Sequence, residues 1–594
     1  MTLIEQLQRA ATLYQQRQFA EAQTLIQQTL REHSNAPDVW RFAGVIGRAS
    51  GDPQAESCLR HALRLQPGNT ETLNTLAGLL HDQQREREAE ACYREALQAD
   101  PGNGAVLNNL CRQMLSQGRA SDVLALTANL DSNARPALWR QRGEALLLSG
   151  RPDLALPAFD HSLQLAPQAP LGVHGCVRAL LELGRFAEAR EIAEARASDR
   201  SFAVLLVKAL AGQNEWQMAV ELATRLATAH PDLPETVFVA AQMLWMQGRG
   251  DTVSGLLAEV GTCHAGMTSD VMCAVILRGM GDYQRALSTL AMAEQRYGKH
   301  PHIDCARTDV ALELGDTALA LEAAEAAFAI APETLANRTA LAQALLVNGQ
   351  AARALPLIEE TLQTLPDHQH WLALWGDALR MLGDARHEWL LDYETMAKPF
   401  RLAPPSGYDS IETFNTDLAR SLEQLHQMRV HPLDQSLKLG SQTHIDLRFI
   451  GDPVIQAFIG IIQGAIEQYV DALPQDNNHP LYRRRSKQAR PSGMWSVRLE
   501  PEGRHVNHVH PQGWLSSAYY VAVPPPDPEA ADAGALQLGL PRYPTPGATA
   551  ARIIPAVAGN LVLFPSYMWH GTVPARTGTR LTIAFDVTPQ RDLL

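Results

Sequence analysis

Long apolar runs are missing from this chain. No uninterrupted stretch approaches the roughly 18 residues that a membrane-spanning helix needs, so no membrane partner is expected. Cysteine is scarce: Cys58, Cys92, Cys111, Cys176, Cys263, Cys273 and Cys305 are odd in number, widely spaced and confined to the N-terminal part. That pattern excludes a disulfide framework or zinc site and is expected of buried thiols in a reducing cytoplasm. A basic excess is also missing. The net charge of −13 is spread along the sequence, which argues against a general nucleic-acid binder. The first residues, Met1 to Arg9, carry no basic region ahead of an apolar block, so no secretory signal is expected and the location is read as cytoplasmic. What is present is 46% apolar and 19% charged residues in a chain of 594, too long for one ordinary domain.

The first part of the chain repeats itself. Ala62-Leu-Arg-Leu-Gln-Pro-Gly-Asn69 recurs as Ala96-Leu-Gln-Ala-Asp-Pro-Gly-Asn103, a shift of 34, and Pro332 and Pro366 end two further units at the same spacing. Between the prolines lie two amphipathic helical patterns broken by a glycine turn, as at Gly184, Gly248 and Gly383. Trp139 and Gly143 stand where the first helix of a unit needs one large and one small residue for close packing. This punctuation resembles the tetratricopeptide repeat, whose units bury their apolar faces only by stacking into a superhelix with a concave groove. The expected layout is a repeat superhelix over 1–395, a linker over 396–407 rich in proline, and a second domain over 408–594.

In that second domain, helical patterns over 409–428 and 453–469 precede a switch to period two. Segments 495–499, 515–523, 535–538, 551–554, 560–564 and 580–585 read as strands between Gly, Pro and Asp turns. The expected fold class is therefore α+β and multidomain: an all-α repeat superhelix, then a double-stranded β-helix (jelly-roll) barrel with flanking helices. His508 and His510, two apart on a strand, point to one side, while His505 and Asn507 point to the other. His570 closes an apolar strand sixty residues after His510, and Arg580 opens another ten residues later. Three imidazoles suit a borderline metal such as iron(II), and an arginine fork suits a carboxylate. Thr582 shares the face of Arg580, and Tyr519 is either a further hydroxyl donor or core. Trp495, Trp514 and Trp569 either line a channel or fill the core. Asp586 reads as structural. His505 is either a ligand in a shifted register or, as favoured, a residue behind the ligands or at the surface. Arg483 to Arg490 either recruit an acidic substrate or, as favoured, form a solvated loop.

His508-Val-His510-Pro-Gln-Gly-Trp-Leu-Ser-Ser-Ala-Tyr-Tyr-Val521, Leu563-Phe-Pro-Ser-Tyr-Met-Trp-His570 and Arg580-Leu-Thr-Ile-Ala-Phe-Asp586 together resemble a bacterial family of 2-oxoglutarate/iron(II) oxygenases, over about residues 408–590. The resemblance implies that His508 and His570 bind Fe(II) and that Arg580 holds the distal carboxylate of the cosubstrate 2-oxoglutarate. It also implies that succinate forms as a substrate C–H is hydroxylated. The chain departs from the wider superfamily at position 510, where a carboxylate usually stands. Either His510 ligates, completing a three-histidine site, or water does; ligation by both His508 and His510 is the favoured reading, because they share a face. The expected function is a dioxygenase that hydroxylates a peptide or protein side chain presented by the repeat groove. Two rivals are an oxygenase of a small molecule, with the repeats used for assembly, and a non-catalytic binding scaffold.

Overall fold

The computed structural model describes residues 1–589 apart from 264, 429, 434 and 526; the last five positions of the expected 408–594 domain lie outside the described residues. Two compact units are present, Met1–Gly175 and one that begins at Cys176.

The first unit is built of helix pairs. Pro67 and Gly68 stop one helix, and Asn69 starts the next by accepting the Thr72 N–H at 2.9 Å; Asn103 does the same for Val106 at 3.2 Å. The repeated Pro-Gly-Asn is therefore a stop followed by an N-cap, which is why it recurs with the period of the unit. Gly143 packs face-on against the buried ring of Phe159. A Cβ at position 143 would fall 2.7 Å from that ring, so the close approach needs glycine.

The second unit opens with helical pairs of the same kind. The turn glycines Gly184, Gly248 and Gly383 have φ of 69°, 75° and 64°, the left-handed region that lets the chain reverse between paired helices. Antiparallel sheets follow. Strands are β1 (Lys398–Arg401), β2 (Leu437–Gln442), β3 (Arg490–His505), β4 (Leu515–Ala522), β5 (Leu536–Leu538), β6 (Arg552–Ile554), β7 (Asn560–Pro565), β8 (His570–Thr572) and β9 (Arg580–Thr588). One sheet has the order β1-β7-β4-β9-β3-β2 and the other β6-β5-β8. The fold class is the expected one, an all-α repeat region followed by antiparallel sheets with flanking helices. Those helices, Ile411–Glu423 and Pro453–Asp471, bury Phe414, Phe458 and Tyr469 against β4, β7 and β9.

Three local expectations are corrected. Lys398–Arg401, expected inside a linker, is a strand paired with β7, because alternate side chains find cover there and its backbone completes a ladder. His508 and His510 lie beyond the end of β3, and His508 is held by one isolated bridge to His570 instead of a continuous strand. Cysteine burial is uneven: none of the seven is in a disulfide, but Cys263 is exposed.

The sheets share a core with the last helical pairs. Trp569 is 5% exposed and packs among Trp371, Leu374 and Ala378. Its indole N–H donates to Asp377 at 2.8 Å, while Tyr567 donates to the Leu390 carbonyl and Tyr469 to that of Met396. Burial pushes the Asp377 carboxyl up to about 7, against the Trp569 hydrogen bond and Arg380, which lower it. Between its ordinary value of 3.8 and about 7, the folded chain keeps a proton that the unfolded chain has released. Stability therefore falls as pH rises through that window and levels off above it. Asp377→Asn, which keeps an acceptor for Trp569, is expected to be the more stable form at pH 8 by on the order of 2 kcal/mol, with the gap closing towards pH 4. Thermal unfolding followed by tryptophan fluorescence across that range checks it; a gap independent of pH would refute the buried-proton account.

Candidate metal and anion site

His508, His510 and His570 converge. One ring nitrogen from each lies within 4.8 Å of the other two, and the Nε2 atoms of His508 and His510 are 3.1 Å apart. Each Nδ1 is committed elsewhere. His508 Nδ1 donates to the Val506 carbonyl at 2.9 Å, His570 Nδ1 to the Met568 carbonyl at 3.0 Å, and His510 Nδ1 to Asp586 Oδ1 at 2.5 Å. With each Nδ1 directed at an acceptor, the three Nε2 atoms are turned towards a common point. The Nε2 atoms of His508 and His510 lie close enough to share a proton or a metal ion. Burial and the neighbouring histidines hold His508 and His570 well below the ordinary histidine range, so their lone pairs are available at neutral pH. This donor set fits a divalent transition metal.

Asp586 belongs to this arrangement, contrary to the structural role expected of it. Ser516 Oγ donates to the same oxygen that accepts from His510, at 2.9 Å, and residues 516 and 586 face each other across β4 and β9. The negative charge that position 510 lacks is therefore supplied one imidazole away.

Arg580 is 5% exposed at the start of β9. Its Nη1 donates to Thr572 Oγ1 at 2.8 Å, and its guanidinium lies 5.0 Å over the Tyr520 ring. Thr572 shares a face of β8 with His570, two residues away, which sets the arginine beside the histidines. No carboxylate among the described residues pairs with Arg580; its Nε is buried without a partner, and the hydroxyl of Tyr520 stands beside the guanidinium. A buried guanidinium with an orphaned donor is costly in isolation and suits an anion brought from solution.

The other residues singled out in the sequence divide. Thr582 faces Tyr520 across the ladder, on the Arg580 side, with its hydroxyl towards the Val497 carbonyl at 3.4 Å. Tyr519 is not brought to the site: its hydroxyl donates to Asn415 at 2.7 Å and its ring packs on Phe458 in the core. The tyrosine beside Arg580 is its neighbour Tyr520. His505 lies behind the cluster, paired with Ser436 at 3.0 Å. Trp495 lines the cleft above the histidines, whereas Trp514 and Trp569 are core. Arg483 binds Asp367 and the Pro366 carbonyl while staying partly exposed, and Lys487, Gln488 and Arg490 of the same loop are exposed.

Asp586→Asn is expected to weaken divalent metal binding about 10- to 100-fold, because the amide no longer fixes the His510 tautomer by accepting a charge-assisted bond. Cobalt(II) titration followed by visible absorption checks it. Unchanged affinity would mean that His510 is held by other means.

Residues 493–586 match the family model described as "Putative 2OG-Fe(II) oxygenase". Residues 7–56, 70–103 and 146–209 match tetratricopeptide-repeat models. The curated proteins compared with the chain give no match. Similar solved structures include yeast Tom70, at 12% identity over 64% of this chain and 89% of that one with a TM-score of 0.32. A tetratricopeptide repeat protein from Parabacteroides merdae is 14% identical over 43% of this chain and 98% of its own, with a TM-score of 0.32. The chain carries a domain of the 2OG-Fe(II) oxygenase family in its C-terminal part, preceded by tetratricopeptide repeats.

Proposed function

We propose that the protein is a 2-oxoglutarate- and iron(II)-dependent dioxygenase that hydroxylates a side chain of a peptide or protein. One observation carries this reading: three imidazole lone pairs converge beside a buried guanidinium that has no anionic partner among the described residues. His508, His510 and His570 would hold the metal through Nε2, and Arg580 would take the distal carboxylate of 2-oxoglutarate. The Tyr520, Thr572 and Thr582 hydroxyls would surround that carboxylate. Iron with 2-oxoglutarate and oxygen supplies oxidative decarboxylation to succinate and carbon dioxide, coupled to insertion of one oxygen into a C–H bond. The chain's own residues bind and orient. Asp586, Val506 and Met568 fix the three imidazoles, and the buried walls of β4, β8 and β9 keep water from the guanidinium. The two sheets are read as the jelly-roll that such a site needs.

The cleft leading to the histidines favours a peptide. It encloses about 1250 Å³, above the roughly 300–1000 Å³ usual for small-molecule pockets. One wall comes from the repeats through Phe238, Trp245 and Tyr283. On this reading the repeats over 1–395 serve a catalytic domain over 408–594, and seven cysteines outside any disulfide suit a cytoplasmic protein.

Purified protein supplied with iron(II), ascorbate and 2-oxoglutarate should form succinate. His570→Ala should abolish this while the chain stays folded. Arg580→Ala should raise the 2-oxoglutarate concentration needed at least about 30-fold, matching the roughly 2–5 kcal/mol of a buried charge pair, with only partial rescue by lysine. Succinate release by the full chain, with a gain of one oxygen in a co-incubated lysate peptide detected by mass spectrometry, supports the reading. Succinate formation untouched by His570→Ala would overturn it.

A further inference from the structure

We propose that the cleft selects an acidic, extended peptide segment, laid along the edge of β2 with its carboxylates on Lys438 and Arg504. The proposal rests on the hydroxylase reading and names its substrate class.

The charge census of the cleft carries the inference. Three of its arginines are neutralised within the chain: Arg278 by Asp309 at 2.8 Å, Arg498 by Glu500 at 2.8 Å and Arg542 by Glu313 at 2.5 Å. Lys438 and Arg504 also line the cleft, and no described carboxylate pairs with either. They stand directly opposite each other on β2 and β3, so both project from one face of the ladder. Like charges in that register repel and weaken a sheet. Half-burial lowers the Lys438 pKa. Glu313 opposes that effect, while Arg542, Arg504 and Arg278 add to it, so the lysine stands among three arginines and one glutamate. An arrangement that costs the free protein stability is relieved when an anion arrives.

The backbone at the same place is suited to a strand-like partner. β2 is the edge strand of its sheet, and its side away from β3 pairs with no other strand among the described residues. Between the pairs Lys438–Arg504 and Gly440–Leu499 the ladder is interrupted: residues 500–503 of β3 stand against the single residue Leu439 of β2, which has φ of 53° and is 54% exposed in the cleft. A leucine in the left-handed region is strained and persists only where the surroundings impose it. Gly503 makes room for it: a Cβ there would lie 2.2 Å from the Leu439 carbonyl. Leu439 therefore presents an apolar side chain beside two unpaired cations, on a strand with no further strand along its outer edge among the described residues. An extended peptide supplies all three complements: ladder hydrogen bonds, an apolar contact and carboxylates. A free small acid would satisfy only the cations. A nucleic acid would satisfy the cations but not the ladder.

The test uses the full chain and fluorescein-labelled ten-residue peptides of alternating Thr-Glu, Thr-Gln and Thr-Lys, with oligothymidylate as an anionic control, all read by fluorescence anisotropy. Thr-Glu should bind at least about ten-fold more tightly than Thr-Gln and lose affinity with salt. The double variant Lys438→Glu, Arg504→Glu should lose that preference and gain one for Thr-Lys. The milder Lys438→Gln, which keeps the stem and removes the repulsion, should unfold no earlier than the parent and show an intermediate loss. Equal binding of Thr-Glu and Thr-Gln would overturn the proposal. So would equal losses for both peptides in the double variant, or oligothymidylate binding as tightly as Thr-Glu and losing it alongside. Succinate formation by the unaltered protein is measured in parallel. Acidic-peptide selectivity without succinate would sink the hydroxylase reading and leave the acidic site standing. Succinate without selectivity would sink only the present proposal.

Discussion

The seating of Trp569 in the core of the last helical pairs is the contact on which the site depends. The indole is buried among Trp371, Leu374 and Ala378, and its N–H is taken by Asp377. His570 follows immediately in the chain. Its main chain forms the bridge with His508, and its ring is fixed by the Met568 carbonyl one residue before the tryptophan. A short strand of three residues cannot hold an embedded imidazole in one orientation by its ladder alone. Packing of the adjacent aromatic residue into a rigid helical layer supplies the missing constraint. The repeats nearest the sheets are thus part of the scaffold of the histidine cluster.

Electrostatics divides the region into two zones that handle charge differently. At the bottom, three imidazoles converge beside a buried guanidinium, and the carboxylate of Asp586 is occupied in orienting His510. Such a zone is unfavourable on its own and asks for a metal ion and an anion together, since each compensates groups that the other cannot. Further out, along the cleft, most cations are paired and two are not. The unpaired ones lie across a ladder from each other, where the sheet itself gains nothing from them. Both zones store unfavourable interactions in the free protein that binding partners relieve, a pattern expected of functional sites and not of core.

Much of this is legible in the sequence. The repeat period, the Pro-Gly-Asn stop and cap, and the order His508, His510, His570, Arg580 all follow from local rules of chain geometry, so they survive folding unchanged. The choice between Tyr519 and Tyr520 is not legible. β4 is buried on both faces along nearly its whole length, so alternation carries no contrast between inside and outside, and one tyrosine looks like the other. The role of Asp586 is hidden for a related reason. An acidic residue at a strand end resembles a structural terminus until the partner strand brings Ser516 opposite and the loop after β3 brings His510 to it. The strand β1 is hidden because Lys398-Pro-Phe-Arg has linker composition, and only the exposed edge of β7 makes it a strand.

The sequence by itself determined the helical repeats, the antiparallel β region, and which histidines and arginine could meet, because those depend on periodicity, turn chemistry and order along the chain. Tertiary structure alone decided which ring nitrogen of each histidine is free, since that depends on acceptors at Val506, Met568 and Asp586 whose positions only folding sets. It also decided which tyrosine faces the guanidinium and which cations of the cleft stay unpaired. The acceptors for His508 and His570 lie only two residues away, but that for His510 is 76 residues on, and Arg542 meets Glu313 across 229 residues.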